Sequence, residues 1–562
     1  MKTSATPADD LGAFAARFKL TESYRPYLLL TLLCLCLFAP GLARLPPTDR
    51  DESRFMQATK QMIETGDFVD IRFQDEARNK KPVGVYWLQA AAVAMAGKAH
   101  LASPWLYRLP SALAAWLAVL ATCAFGRRLF GPASGLAAGA MLATTLIVVA
   151  EAHLAKTDAA LLCAVTLCLT SLGHVYLEGR ARLAPALIFW IALAAGILIK
   201  GPVIVAVAGA TIAALTIADR NLRWLLNLRP LEGVALFALV AAPWFLLQSS
   251  GPAPFLSSSF HEDILPKLIG GQEGHGAPPG THTLLSLVTA WPWSVLAPFA
   301  VIAAWRGRAD PATRFCLAWL APAWLLFELV PTKLPHYTLP LMPPLMLLTA
   351  ALLRGTPDLA RILGGGWAFA WRMVWSWTGI MFGVVALVAA RRFGEGSVLP
   401  AAAAAGITLA AGLYGIAGLG KARTLPGAMA IGLTGAAFVV VVFGAELPRL
   451  SRLAISDRIA VRALPLMTDT PVALAGYHEP SAIFLLGTDT ILTDAAGAAA
   501  HLIAHPAALA VVPAASLDLM RAALEASGRD LVQIERIDGY NYSRGRQERL
   551  VLVSAKMAAK AL

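Results

Sequence analysis

Apolar blocks of about 17–25 residues recur along most of this chain, the length a helix needs to cross roughly 30 Å of hydrocarbon, and short loops rich in Lys and Arg separate them. Of 562 residues, 57% are hydrophobic and 15% charged. A soluble chain carries about 25% charge, so the excess apolar surface needs lipid to face. The pattern predicts crossing helices near 27–44, 109–126, 133–150, 158–177, 184–200, 203–219, 231–248, 285–305, 314–330, 338–353, 369–390, 399–419 and 426–445, about 13 transmembrane helices. The block Val83–Gly97 is too short to cross and is expected to lie along one surface. The six cysteines sit inside apolar spans without metal or redox spacing and read as packing residues. The net charge of +12 lies mainly in short loops, so it marks topology and contact with lipid headgroups rather than nucleic acid.

Those loops also orient the chain. Arg127/Arg128, Arg180/Arg182, Arg220/Arg223/Arg229, Arg306/Arg308 and Lys421/Arg423 fall on the side of the N-terminus, which is therefore expected in the cytoplasm; Arg391/Arg392 dissent. Loops 45–108 and 249–284 and a C-terminal segment 447–562 then face outward, leaving 1–446 as the transmembrane domain. The C-terminal segment alternates short apolar runs with helical stretches, which predicts a small α/β domain with a hairpin whose long turn spans Asp538–Arg546.

Ionisable residues gather at the expected outer helix ends. The first loop holds Asp49-Arg50-Asp51-Glu52-Ser53-Arg54-Phe55 and Asp75–Pro82; Glu151, His153, Lys156 and Asp158 lie between two spans, and Lys333, His336 and Tyr337 follow Val330. Carboxylates alone fit a cation path and cations alone a phosphate site; together they suit an enzyme acting on a phosphorylated lipid. Asp158 could equally be a simple helix cap. In the second loop His261-Glu262-Asp263, Glu273, His275 and His282 leave two readings open. They are solvated or acceptor-contacting residues, or a divalent-metal site such as zinc, with His261 and His282 joined by Glu76.

Arg50–Phe55, Lys81-Pro82 with Tyr86-Trp87, and Thr332-Lys333-Leu334-Pro335-His336-Tyr337-Thr338-Leu339-Pro340, in that order, resemble the signature elements of the GT-C glycosyltransferases related to protein O-mannosyltransferases. The spacing resembles most the bacterial branch that transfers 4-amino-4-deoxy-L-arabinose from undecaprenyl phosphate to lipid A. Phe55 and Lys80 depart from the usual Tyr and Glu. The resemblance implies an α-helical GT-C membrane fold in a bacterial inner membrane, with the active site and C-terminal domain periplasmic. It implies a polyprenyl-phosphate sugar donor, a lipid A acceptor and no nucleotide cofactor. Carried over by motif, Asp51 is the catalytic carboxylate and Asp158 a second one, with Glu52, Arg54, Lys81, Tyr86, Lys333, His336 and Tyr337 binding substrate. Another sugar or a protein acceptor is the alternative. A lipid transporter is a weaker one, since no internal repeat appears and the charges sit at one edge rather than at the midplane.

Overall fold

The computed structural model describes residues 10–249, 255–261, 265–266, 276–355, 363, 365–419 and 424–557. Among the described residues, nine helices are long and apolar enough to cross a membrane, or ten if the bent pair Pro132–Thr144 and Leu146–Ala152 is one span. The chain is a multi-pass membrane protein. The expectation of thirteen spans is corrected in three places. Arg25–Phe38, at 14 residues, is shorter than a usual crossing, and Val203–Asp219, at 17, stands at the lower limit and is not among the nine. The block near 285–305 is two helices, Thr281–Thr289 and Ala297–Arg306, separated by a tight turn at Trp293–Val295; Pro292 and Pro298 supply no backbone N–H to continue a helix there.

Packing follows from which residues are small. The helices Pro104–Phe130 and Pro132–Thr144 cross on glycines: a Cβ on Gly135 would sit 2.4 Å from the backbone nitrogen of Arg127, and one on Gly126 would sit 2.9 Å from the Cα of Gly135. Without a hydrophobic drive between helices in lipid, such close approach supplies the dispersion contact that holds them. Outward faces stay apolar, as with Leu231, Leu239 and Leu246 on Pro230–Ser249. Five of the six cysteines are buried and all are free.

Two features carry residues toward one end of the bundle. At Thr145 the backbone turns extended and the paired helices bend by 62°. The Thr144 and Thr145 hydroxyls donate back to carbonyls of the first helix, while the freed N–H of Leu146 donates to the Trp291 carbonyl at 2.9 Å. The second limb carries Glu151 in its last turn. Near it, Gly84–Ala96 is a short helix that packs between Asp51–Thr65 and Pro104–Phe130, with Tyr86, Gln89 and Val93 buried.

The C-terminal region holds a five-stranded sheet of order β4-β3-β5-β7-β6, with β3 (Ala473–Ala475), β4 (Ile491–Thr493), β5 (Leu509–Pro513), β6 (Arg529–Asn541) and β7 (Arg546–Met557). A two-residue ladder in the first loop supplies β1 (Arg72–Phe73) and β2 (Glu76–Ala77). The β3 strand runs parallel to β4 and β5, and β7 runs antiparallel to β5 and β6. Alternation builds two cores: Leu474, Val511 and Leu552 face the helices Ile455–Ala463 and Pro480–Leu486, while Ala475, Val512 and Val553 face Ala495–Ala504 and Leu517–Ala526. The hairpin turn is shorter than its polar sequence predicted. Pairing continues through Asp538↔Arg549 to Asn541↔Arg546, so only 542–545 turn, closed by Gly545 at φ +68°.

Candidate functional site

The first loop and the bundle are joined by a buried ion pair. Glu52, one residue into the Asp51–Thr65 helix, takes Arg108 Nε on Oε1 at 2.8 Å and Arg108 Nη2 on Oε2 at 3.1 Å. It also accepts the Ala155 N–H at 2.9 Å and both the N–H and hydroxyl of Thr48 at 2.8 Å. The remaining Arg108 donors go to the carbonyls of Leu42, Leu45 and Pro46. Burial pushes the Glu52 carboxyl up, but the Arg108 charge and these hydrogen bonds outweigh it and hold the group below the usual carboxylate range. With every lone pair occupied, Glu52 is a brace for the loop rather than a substrate contact, which corrects the role its motif implied.

Asp51 is different. It opens the helix next to Glu52, is exposed, and its carboxylate makes no hydrogen bond or ion pair to another described residue. Its charge is felt by Lys156 and by Tyr86. Arg54, three residues on, lies on the same helical face and is half-buried.

Beside them lies a second network. Lys156 contacts Glu151 at 3.1 Å and Asp158 at 3.7 Å, Lys200 donates to Asp158, and His336 Nε2 lies 3.7 Å from Asp158. Asp158 opens the Asp158–Glu178 helix, Lys200 closes Leu183–Lys200, and His336 and Tyr337 ride a tight turn after the Pro311–Leu329 helix. Lys200 also sits over the Tyr337 ring at 5.7 Å, and Lys81 bears electrostatically on His336. Burial works against the Lys156 charge, but Glu151 and Asp158 outweigh it, so its proton is held more tightly than in water.

Among the described residues, the group that could hold a metal ion is Glu151, Asp158 and His336, whose ligand atoms lie within 4.8 Å of one another. Two ammonium groups already neutralise those carboxylates, so a cation there would have to displace them. The expected set Glu76, His261 and His282 does not gather: Glu76 and His261 are exposed, and His282 is buried against Tyr337 with ring centroids 6.1 Å apart. Glu262, Asp263, Glu273 and His275 lie outside the described residues.

Two more motif residues have structural work. Lys333 is buried and its ammonium donates to the carbonyls of Phe327, Glu328 and Val330, capping the C-terminus of the Pro311–Leu329 helix where the dipole favours a cation. Its burial lowers the pKa despite the nearby Glu328 charge. Tyr86 is fully buried under the Asp51–Thr65 helix, 5.3 Å from the Phe55 ring. Its hydroxyl makes no hydrogen bond of good geometry, though Arg78 is near enough to bear on it.

Sequence reasoning placed Glu151 and Lys156 in the converging set without naming a role for either, and gave Lys200 and Arg108 no place in the site. The available signal was cost: Lys200 ends an apolar helix and Arg108 begins one, and such charges persist in a membrane protein only with partners.

Residues 80–246 match the family of dolichyl-phosphate-mannose-protein mannosyltransferases. In sequence the chain is 28% identical over 362 residues to the undecaprenyl phosphate-alpha-4-amino-4-deoxy-L-arabinose arabinosyl transferase of Aeromonas salmonicida, covering 64% of each chain. It is 30% identical to the enzyme of that name from Pseudomonas paraeruginosa, over 56% of this chain and 58% of the relative. The similarity thus spans less than two thirds of either relative. In structure it resembles ArnT from Cupriavidus metallidurans in the apo state, with a TM-score of 0.73 at 20% identity over 96% of this chain and 98% of that one. The same enzyme bound to undecaprenyl phosphate matches at 0.71 and 19%, over 94% and 97%. The chain therefore has the fold of those structures, and a segment in its N-terminal half matches the mannosyltransferase family.

Proposed function

We propose that this protein moves 4-amino-4-deoxy-L-arabinose from undecaprenyl phosphate to a phosphate of lipid A, on the periplasmic face of a bacterial inner membrane. The observation that carries the proposal is an uncommitted carboxylate, Asp51, beside a network of cations at helix ends. The names of the relatives and the undecaprenyl phosphate bound to the Cupriavidus enzyme support it.

In this reading an acceptor phosphate oxygen attacks the anomeric carbon as the bond from that carbon to the donor phosphate breaks, with inversion. The electron pair leaves on undecaprenyl phosphate. Arg54, Lys81, Lys156 and Lys200 stabilise charge on the departing phosphate through charge-assisted contacts. A phosphate acceptor is already an anion, so Asp51 orients the sugar and balances charge instead of removing a proton. Asp158 holds Lys156 and Lys200 in place, and Tyr337 and His336 wall the site. Residues 1–446 form the catalytic part and 447–562 a periplasmic cover, with the N-terminus cytoplasmic as loop charge favours.

The test is mass spectrometry of lipid A from cells with and without the gene. A gain of one aminopentose is expected; unchanged lipid A with a newly glycosylated protein would replace this reading with protein glycosylation.

A further inference from the structure

Arg50, which leads into the helix that begins at Asp51, has φ +67° and ψ −113°, a conformation that a residue with a Cβ seldom adopts. Such a backbone persists only where its surroundings over-determine it. On the bundle side, Thr48 is tied to Glu52, and the Ser53 hydroxyl donates to the Thr48 carbonyl. On the other side, three hydrogen bonds come from the C-terminal sheet region. The Asp49 N–H donates to the Tyr542 hydroxyl at 2.6 Å, the Arg50 guanidinium donates to the Ser543 carbonyl at 2.5 Å, and Ser481 donates to the Asp49 carboxylate.

Tyr542 and Ser543 are the first two residues of the β6–β7 turn, and that turn is itself anchored. Asn541 donates to Glu479 at 2.8 Å, Arg544 pairs with Glu479 at 3.3 Å, and the Arg544 N–H donates to Asn541 at 3.1 Å. The Ser481 hydroxyl lies 2.6 Å from that of Ser456, which is 2.9 Å from the Tyr477 hydroxyl. The flank of the Asp51–Thr65 helix meets the same region through different residues: Lys60 donates to the Phe484 carbonyl at 3.0 Å and Gln57 to Thr488 at 2.8 Å. Docking along the flank and clamping at the tip are thus separable.

We infer that the C-terminal sheet region is a positioning element of the transfer site, in which Tyr542, Ser543 and Ser481 hold Asp49 and Arg50 so that Asp51 is presented to the sugar. The inference rests on the transferase reading for its catalytic consequence and on geometry alone for the clamp. None of the three touches the reacting atoms; they act through the backbone of residues 49 and 50.

The experiment compares Tyr542→Phe and Ser481→Ala with Thr488→Val, which removes a flank hydroxyl, in the full-length protein in detergent. Amide hydrogen exchange of a peptide covering 48–54 and steady-state transfer from undecaprenyl-phosphate aminoarabinose are both followed. The tip variants are expected to exchange about tenfold faster over 48–54 at unchanged melting temperature. Their kcat should fall roughly tenfold while donor KM stays within about twofold, the signature of a lost transition-state alignment. Thr488→Val should change neither. Unchanged exchange in both tip variants overturns the clamp, and so does an equal fall of kcat in Thr488→Val, which would mean general docking. Because exchange needs no turnover, a wild-type protein that transfers no aminoarabinose would sink the transferase reading while the clamp is still judged by exchange.

Discussion

Two buried charge networks lie side by side in this protein, and they are built in opposite ways. Around Glu52, one carboxylate and one guanidinium satisfy each other and a ring of backbone groups, with side chains 0% and 1% exposed. Around Asp158, two carboxylates share two lysines and a histidine, with Lys156 and His336 at 3.1 to 3.7 Å, and Lys200 reaches the tyrosine ring beyond. The first network is closed and has no capacity left for a ligand. The second is built on ammonium groups, point charges not committed to one fork geometry as Arg108 is. Adjacent residues in one motif, Asp51 and Glu52, therefore serve different ends.

The largest expected effect breaks the closed network. Glu52→Gln leaves Arg108 buried without its counter-charge, a change that commonly costs about 3–5 kcal/mol. Thermal unfolding in detergent should show a large drop in midpoint, and Glu52→Gln with Arg108→Met should recover part of it. A normal midpoint for Glu52→Gln would mean that the pair is not structural. Asp51→Asn should do the reverse. Its midpoint should stay near wild type while turnover falls on the order of 10²–10³, since only a charge exposed at the site is lost. Near-normal turnover would move the catalytic carboxylate elsewhere, with Asp158 first in line.

A smaller effect separates two lysines that one motif-based reading treats alike. Lys81→Ala is expected to raise donor KM roughly tenfold through a lost charge-assisted contact of about 1.5–3 kcal/mol. Lys333→Ala uncovers three helix-terminal carbonyls, so it should lower stability and leave donor binding of the folded fraction nearly intact. Isothermal titration with undecaprenyl phosphate distinguishes the two. Equal loss of affinity would restore Lys333 to the binding site.

The sequence made the membrane class legible because span length and charge density are local properties, and each predicted block contains helix. It did not show which blocks fall short of a crossing, since Pro292 and the bend at Thr145 act through backbone geometry rather than hydropathy. The motifs led to Asp51, Asp158 and His336, and the structure brings Asp158 and His336 within 3.7 Å of each other. They could not separate a brace from a binding residue, because the role of Glu52 depends on Arg108, 56 positions away in the chain. The metal expectation at Glu76, His261 and His282 failed for a related reason: suitable ligand types occurred in two loops, but proximity between loops is not written in spacing.

The last prediction sets Asp49 against Glu52, two carboxylates three residues apart that titrate in opposite directions. Burial raises Asp49 from 3.8 to about 6, with the Ser481 hydrogen bond opposing and the Glu479 charge adding to the rise; Tyr477 and Tyr542 also face it. A carboxyl whose pKa is raised on folding favours the folded contact while it is protonated. Its contribution is full below about 3.8 and fades as pH rises through about 6. Glu52 is lowered from 4.5, so its contribution is present above that value and is lost as pH falls through its folded pKa. From roughly one pH unit above 4.5 upward Glu52 is ionised in both states, so of these two carboxylates only Asp49 still changes up to about pH 7. Over that window the contact between residues 48–50 and the β6–β7 turn should loosen as pH rises, seen as faster amide exchange of 48–54 after correction for the intrinsic pH dependence of exchange. Asp49→Asn, which keeps the Ser481 contact without a titrating group, should flatten the trend. A trend of the same size in Asp49→Asn would assign it to Glu479 or another group and leave the clamp insensitive to pH.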